Sequence, residues 1–263
     1  MDMDANRRFV NCTIEEKVAW VTIDNPPVNA LSHALVDELK SVFGELEQND
    51  DVLIVILRGA GEKAFVAGAD IKQFPTMDQA VAEKFSSEGQ DVFNRIENFK
   101  APVIALIQGF ALGGGCELAM ACDIRIASED ARLGQPEISL AIIPGYGGTQ
   151  RMSRLVPTGK AKELIYTGEM IGAMEAMRIG LVDRVVKRED LEDEAKKLAA
   201  TILEKGPLAI KAAKKAINEG LALPLREGLK VESRYFGELF GTEDKNEGAR
   251  AFLEKRKPIF KGK

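Results

Sequence analysis

The chain is poor in the side chains used most often for nucleophilic or metal-assisted chemistry. His33 is its only histidine, which excludes an HExxH zinc site, and without a GxSxG elbow a serine triad has nothing to build on. The three cysteines, Cys12, Cys116 and Cys122, are odd in number and lack CxxC spacing. A disulfide framework is therefore not expected, and a reducing compartment is. No GxxxxGK[ST] is present to cradle nucleotide phosphates, and no GxGxxG follows a strand. No uncharged apolar run approaches the roughly 20 residues that span a bilayer. The N-terminus, MDMDANRRFV, mixes acids and bases around no apolar core, so neither a signal peptide nor a transit peptide is visible. Lys and Arg number 36 against 41 Asp and Glu, a net charge of −5 that gives no global attraction for nucleic acid or acidic membranes. The expectation is a soluble, cytoplasmic protein, with no membrane or nucleic-acid partner, whose chemistry falls to carboxylates and backbone amides.

The 263 residues, 45% of them hydrophobic, are enough for a sizeable core. Residues 9–23 alternate apolar and polar around Glu15-Glu16-Lys17, the pattern of a hairpin. Residues 32–48 place Leu35, Leu39, Val42, Phe43 and Leu46 at helical spacing behind Ser32, a fitting N-cap. Val52–Leu57 and Val103–Ile107 are continuous apolar runs, as in strands buried on both faces. A helix over 78–98, an alanine-rich helix from Gly113-Gly114-Gly115 to about Cys122, and a strand over 123–127 complete an alternation that predicts an α/β fold with crossover connections. After residue 190 four helical patterns follow, punctuated by Gly206-Pro207, Gly220, Pro224 and Gly241. The predicted division is an α/β core over residues 1–200 and a helical subdomain over 201–263.

Three stretches could carry chemistry. In Gly109–Asp123, consecutive glycines at a strand-to-helix junction let a backbone approach a ligand closely, and free amides at a helix start can hold a developing oxyanion. Glu117 sits in that first turn, where it could equally serve only the helix dipole. In Gly134–Gln150, Glu137 lies in a Pro-bounded turn before an apolar segment; apolar surroundings raise a carboxyl pKa and suit a general acid, though a solvated loop acid fits as well. Ala64–Lys72 is rich in small residues that either admit a ligand to the backbone or simply make a tight connection. Cys116, with no histidine near it in sequence, reads as a small apolar residue, and the lysines at 205, 211, 214 and 215 read as a solvated helix face.

Taken in order, these stretches resemble the enoyl-CoA hydratase/crotonase family, and the similarity runs over essentially the whole chain. It extends to Ile143–Arg151, Thr167-Gly168, Gly180-Leu181-Val182 and Phe252–Lys257. The resemblance implies a spiral of ββα units with a C-terminal helical trimerisation region, assembled as a homo-trimer or a hexameric dimer of trimers. It implies an acyl-CoA thioester substrate, no metal and no cofactor beyond the coenzyme A of the substrate itself. It places the oxyanion hole at the amides of Ala69 and Gly114 and the catalytic pair at Glu117 and Glu137. Substrate and CoA contacts fall on Ala67, Asp70, Ile71, Lys72, Gly113, Tyr146, Phe252 and Lys255. The implied activity is hydration of short-chain 2-enoyl-CoA; dehydration of another hydroxyacyl-CoA and double-bond isomerisation are the alternatives on the same scaffold. RNA binding, known for one relative with a lysine-rich helix face, is disfavoured because residues 32–48 set Asp37, Glu38, Glu45 and Glu47 against the single Lys40. The chain departs from the family at Asn25–Leu31, which is short and lacks a basic residue often found there, and at Tyr146, which replaces a frequent small residue and is expected to narrow the acyl pocket.

Overall fold

The computed structural model describes residues 7–263. The strands are β1 Val10–Glu15, β2 Val18–Ile23, β3 Ile54–Gly59, β4 Ala64–Ala67, β5 Val103–Ile107, β6 Phe110–Leu112, β7 Ile124–Ser128, β8 Arg132–Gly134, β9 Met170–Gly172 and β10 Arg184–Val186. The first helices are α1 His33–Glu47, α2 Gln79–Glu97, α3 Gly114–Met120, α4 Gly148–Leu155, α5 Thr158–Thr167 and α6 Ala173–Arg178. The last four are α7 Leu191–Leu203, α8 Pro207–Leu221, α9 Leu225–Leu239 and α10 Glu243–Leu253. The chain forms two compact units, Met1–Phe99 with Val103–Lys196, and Lys100–Pro102 with Lys197–Lys263.

The first unit is built on a large sheet of order β1-β2-β3-β5-β7-β10, parallel except for the opening hairpin. That hairpin turns through Glu16 and Lys17, both with positive φ, the backbone twist that suits a two-residue connection. β3 and β5 sit inside the sheet, and their apolar runs are buried almost without interruption. Ser32 caps α1, its side chain accepting from Leu35 N at 3.2 Å, and the helix buries Leu35, Val36, Leu39, Val42, Phe43 and Leu46 against the core.

A second, smaller sheet of order β4-β6-β8-β9 has β4, β6 and β8 parallel. Three successive passes of the chain each lay one strand in the large sheet and the next in the small one before entering a helix: β3, β4, α2; β5, β6, α3; β7, β8, α4. This is the spiral of ββα turns. The small sheet is not visible in the sequence because strands of three or four residues are too short to show alternation. Part of Ala64–Lys72, read as a connection, is thus β4, and α3 ends two residues before Cys122.

The second unit is helical. Gly220 and Gly228 let α8 and α9 meet backbone to backbone, since a Cβ on Gly228 would lie 3.1 Å from Gly220 O. Lys214 of α8 is buried, and its Nζ donates to Ala101 O at 3.1 Å. Asp244 of α10 accepts from the amides of Lys261 and Gly262, tying down the C-terminal segment. Ile217, Leu221, Leu225, Leu229, Phe236 and Phe240 remain exposed along α8, α9 and the end of α9. Among the described residues no helix is long and apolar enough to cross a membrane.

Candidate active site

The site is assembled from the residues that follow β4, β6 and β8. Beyond β4, Leu31 N donates to Gly68 O at 2.9 Å and Asp70 N donates to Leu31 O at 2.8 Å, a short parallel bridge that leaves the intervening Ala69 amide unused. Beyond β6, Gly113 turns the chain with φ 51 while its amide donates to Gly134 O at 2.9 Å, extending the β6–β8 ladder. Gly114 opens α3, where an amide has no intrahelical acceptor. Among the described residues neither the Ala69 nor the Gly114 amide donates to a partner. A Cβ on Gly114 would lie 3.8 Å from Ala69 N, so the two orphan donors share one locality. Gly115 has a different purpose: a Cβ there would fall 1.9 Å from Val66 O, so α3 packs directly on β4.

Glu117 projects from the first turn of α3 and is only 2% exposed. Its Oε1 accepts from Tyr146 N at 2.8 Å and Gly148 N at 2.6 Å. Burial, then the charge of Glu137, raises its pKa to about 7 against the opposing effect of those two amides and of Arg151. Glu137 lies in the 3₁₀ turn Pro136–Leu140 that follows β8, and burial raises its pKa to about 7 as well. Its Oε1 reaches to within 2.5 Å of where a Cβ on Gly113 would stand. Gln135 is fully buried beside it and, with its amide nitrogen turned toward the carboxyl, donates to Oε1 and Oε2 at 3.2 and 3.1 Å. The charge of Glu137 raises the pKa of Glu117, so the two carboxyls are electrostatically coupled. Near neutral pH such a pair offers one acid and one base. Cys116, next to Glu117 in the chain and fully buried, has its thiol pKa raised by burial and by both glutamates, which leaves it unreactive.

Both glutamates, both orphan amides, Ala67, Ile71, Gly113 and Tyr146 line one cavity of about 1480 Å³, larger than the roughly 300–1,000 Å³ of drug-sized ligand sites. The structure places the other expected contacts differently. Asp70 caps the 3₁₀ turn Ile71–Thr76, its carboxylate accepting from Lys72 N at 3.2 Å, and the Lys72 side chain is exposed. Phe252 and Lys255 belong to the helical unit, where both are exposed. Tyr146, expected to narrow the acyl pocket, lines the cavity. Its ring is only 3% exposed and packs between Phe85 and Phe93 of α2, with centroids 5.3 and 5.4 Å away. It sits on Gly89, where a Cβ would fall 2.2 Å from Tyr146 Cε1.

Sequence reading passed over Gln135, Arg151 and two residues of α2. Ser86 Oγ and Gln90 Nε2 donate to Gly145 O at 2.5 and 2.8 Å, and Arg151 Nη1 donates to Tyr146 O at 2.9 Å. One signal was available: an arginine in the first turn of a helix opposes the helix dipole and needs a reason to be there. Among the described residues no cluster of three His, Cys, Asp or Glu is arranged to hold a metal ion.

A family model described as enoyl-CoA hydratase/isomerase matches residues 13–263. The chain is 52% identical to a short-chain-enoyl-CoA hydratase of Clostridium acetobutylicum, over 92% of this chain and 94% of that one. It is 48% identical to a crotonyl-CoA hydratase of Syntrophomonas wolfei, over 94% and 95% respectively. The crystal structure of an enoyl-CoA hydratase from Bacillus anthracis superposes with a TM-score of 0.93 at 43% identity, covering 97% of this chain and 100% of that one.

Proposed function

Since this chain belongs to the enoyl-CoA hydratase/isomerase family and is an enoyl-CoA hydratase, we propose that it adds water across short-chain 2-enoyl-CoA using Glu117 and Glu137 as an acid–base pair. The observation that carries this reading is the meeting, in one cavity, of two unpartnered amides and two carboxyls whose pKa values are raised to about 7.

The thioester carbonyl oxygen is received by the amides of Ala69 and Gly114. As water adds to the β-carbon, charge develops on that oxygen, and removing one such donor costs about 3–4 kcal/mol in related chemistry. Glu117 takes the proton of the attacking water, its carboxylate already oriented by Tyr146 N and Gly148 N. Glu137 gives its proton to the α-carbon. The product is the 3-hydroxyacyl thioester, and passage of a proton from Glu117 back to Glu137 restores the pair. The same steps in reverse dehydrate the product. The chemistry so written needs no cofactor beyond the coenzyme A of the substrate.

Ala67, Gly113 and the backbone running to Lys72 are assigned to the CoA arm. The exposed apolar side chains of α8 and α9 are assigned to contacts between copies in a trimer or a dimer of trimers. The cytoplasm is the proposed location, from the sequence reading above. The test is loss of the conjugated-thioester absorbance of crotonyl-CoA on addition of purified protein, beside Glu117→Gln and Glu137→Gln. Rapid loss with wild type and collapse in both variants is expected. A folded wild type that binds CoA without hydrating would point instead to isomerisation or to a specialised dehydration.

A further inference from the structure

Arg151 stands behind the loop that grips Glu117. Its side chain is only 10% exposed, although it lies in the first turn of α4, where the helix dipole disfavours a cation. Its guanidinium donors are engaged on three partners. Nε and Nη2 donate to Glu97 Oε2 at 3.1 and 2.7 Å, and Nη2 also donates to Asn94 Oδ1 at 2.6 Å. Nη1 donates to Tyr146 O at 2.9 Å. Space for it is kept by Gly147, with φ 109, where a Cβ would fall 2.3 Å from Nη1.

The loop is therefore held from one side and holds from the other. The Gly145–Tyr146 peptide has its oxygen fixed by Ser86 and Gln90 of α2, and its N–H donates to Glu117 Oε1 at 2.8 Å. The next peptide has its oxygen fixed by Arg151, which is itself anchored on Asn94 and Glu97 at the end of α2. One residue further, Gly148 N makes the second bond to Glu117. We propose that Arg151 is a positioning residue for Glu117: it ties the 145–148 loop to α2, so that the loop amides hold the carboxylate in place, and it supplies the positive charge behind them.

The groups facing Glu117 give this a readable signature. Glu137 faces it from the 3₁₀ turn, Arg151 from α4, and the Cys116 thiol and Tyr146 phenol are kept neutral by burial; Glu97 lies behind Arg151 and Glu88 of α2 near Tyr146. Removing the cation should raise the Glu117 pKa, whereas removing the Glu97 anion, which partly neutralises that cation, should lower it.

The inference rests on Glu117 being the base, so Glu117→Gln is assayed alongside. The measurement is the pH dependence of kcat and KM for crotonyl-CoA hydration. Arg151→Gln is expected to lower kcat on the order of 10- to 100-fold, the scale of a misplacement approaching 1 Å, with KM changed less than about threefold. Its acid limb should move to higher pH. Arg151→Lys should return the limb toward the wild-type position with partial recovery of kcat. Glu97→Gln should move the limb to lower pH; its side chain is 41% exposed, so this variant decides the matter if Arg151→Gln does not fold. Limbs that stay fixed in the Arg151 and Glu97 variants, while Glu117→Gln is inactive, would overturn the inference and leave the site reading standing. Full activity in Glu117→Gln would overturn both.

Discussion

Glu117→Gln is expected to stabilise the protein at alkaline pH while removing its activity. In the unfolded chain this carboxyl ionises near 4.5; in the folded protein it does so at about 7, because burial and the neighbouring Glu137 charge disfavour the carboxylate. Between those values the folded state retains a proton that the unfolded state has lost. Wild-type stability therefore falls as pH rises through this window, and the loss is complete above about pH 7. At about 1.4 kcal/mol per pH unit the window corresponds to about 3 kcal/mol. Glutamine keeps an oxygen to accept from Tyr146 N and Gly148 N but adds an NH₂ group that needs a partner, a cost of about 1–3 kcal/mol that does not vary with pH. The stability difference, variant minus wild type, should thus grow by about 3 kcal/mol from about pH 4.5 to about pH 8 and then level off. Urea denaturation of both proteins across that range, at one protein concentration, measures it. A difference that stays flat with pH would refute the reasoning, because it would mean that Glu117 does not carry its charge at a cost in the folded state.

Gly113→Ala should lower kcat for crotonyl-CoA on the order of 100-fold: φ 51 is strained for alanine, and the new Cβ would stand 2.5 Å from Glu137 Oε1 and push the carboxyl aside. Steady-state kinetics with KM near wild type would distinguish this from a folding defect. Tyr146→Ala should cost about 3–5 kcal/mol of stability, as for other buried aromatics, and shift kcat/KM from four-carbon toward eight-carbon enoyl-CoA by opening the space beneath α2; an unchanged chain-length profile in the folded variant would exclude that narrowing. Gly89→Ala should destabilise by about 1–3 kcal/mol, because its Cβ overlaps the tyrosine ring, and thermal melting reads this directly. For the proposed trimer or dimer of trimers, Leu221→Glu with Leu225→Glu should give smaller species than wild type in sedimentation velocity, since both side chains are exposed apolar surface in the single chain; equal sedimentation of variant and wild type would remove these helices from the proposed contact.

The parts of the fold legible in the sequence are those written in repeats long enough to see. β3 and β5 declare themselves as unbroken apolar runs, α1 as a helical stripe, and the C-terminal helices through Gly206-Pro207 at the start of α8 and Pro224 before α9. β6, β8 and β9 have three residues each and leave no such trace, yet they align the site. The glycine run could be read as a close approach, but which glycine serves which purpose could not: Gly113 is set by φ, Gly114 offers its amide, and Gly115 makes room for β4. Arg151 and Gln135 look like surface residues in isolation. Their burial is created by α2 and by Glu137, partners distant in sequence or hidden by a turn. Tyr146 stands out in the sequence as a bulky residue, but its posture depends on the missing Cβ of Gly89, far earlier in the chain.

The three parallel strands of the small sheet set three seats side by side: Ala69 beyond β4, Gly114 and Glu117 beyond β6, and Glu137 beyond β8. The ladder fixes the spacing of the seats, while each occupant lies outside the strand that delivers it. The groups proposed to receive the thioester oxygen are main-chain amides, which every substitution except proline retains. The groups proposed to move protons, Glu117 and Glu137, are side chains, exchangeable one at a time. Inheritance therefore acts on the two halves of the site unequally. On the proposed mechanism, single codon changes at Glu117 or Glu137 remove a proton carrier while the hold on the thioester stays.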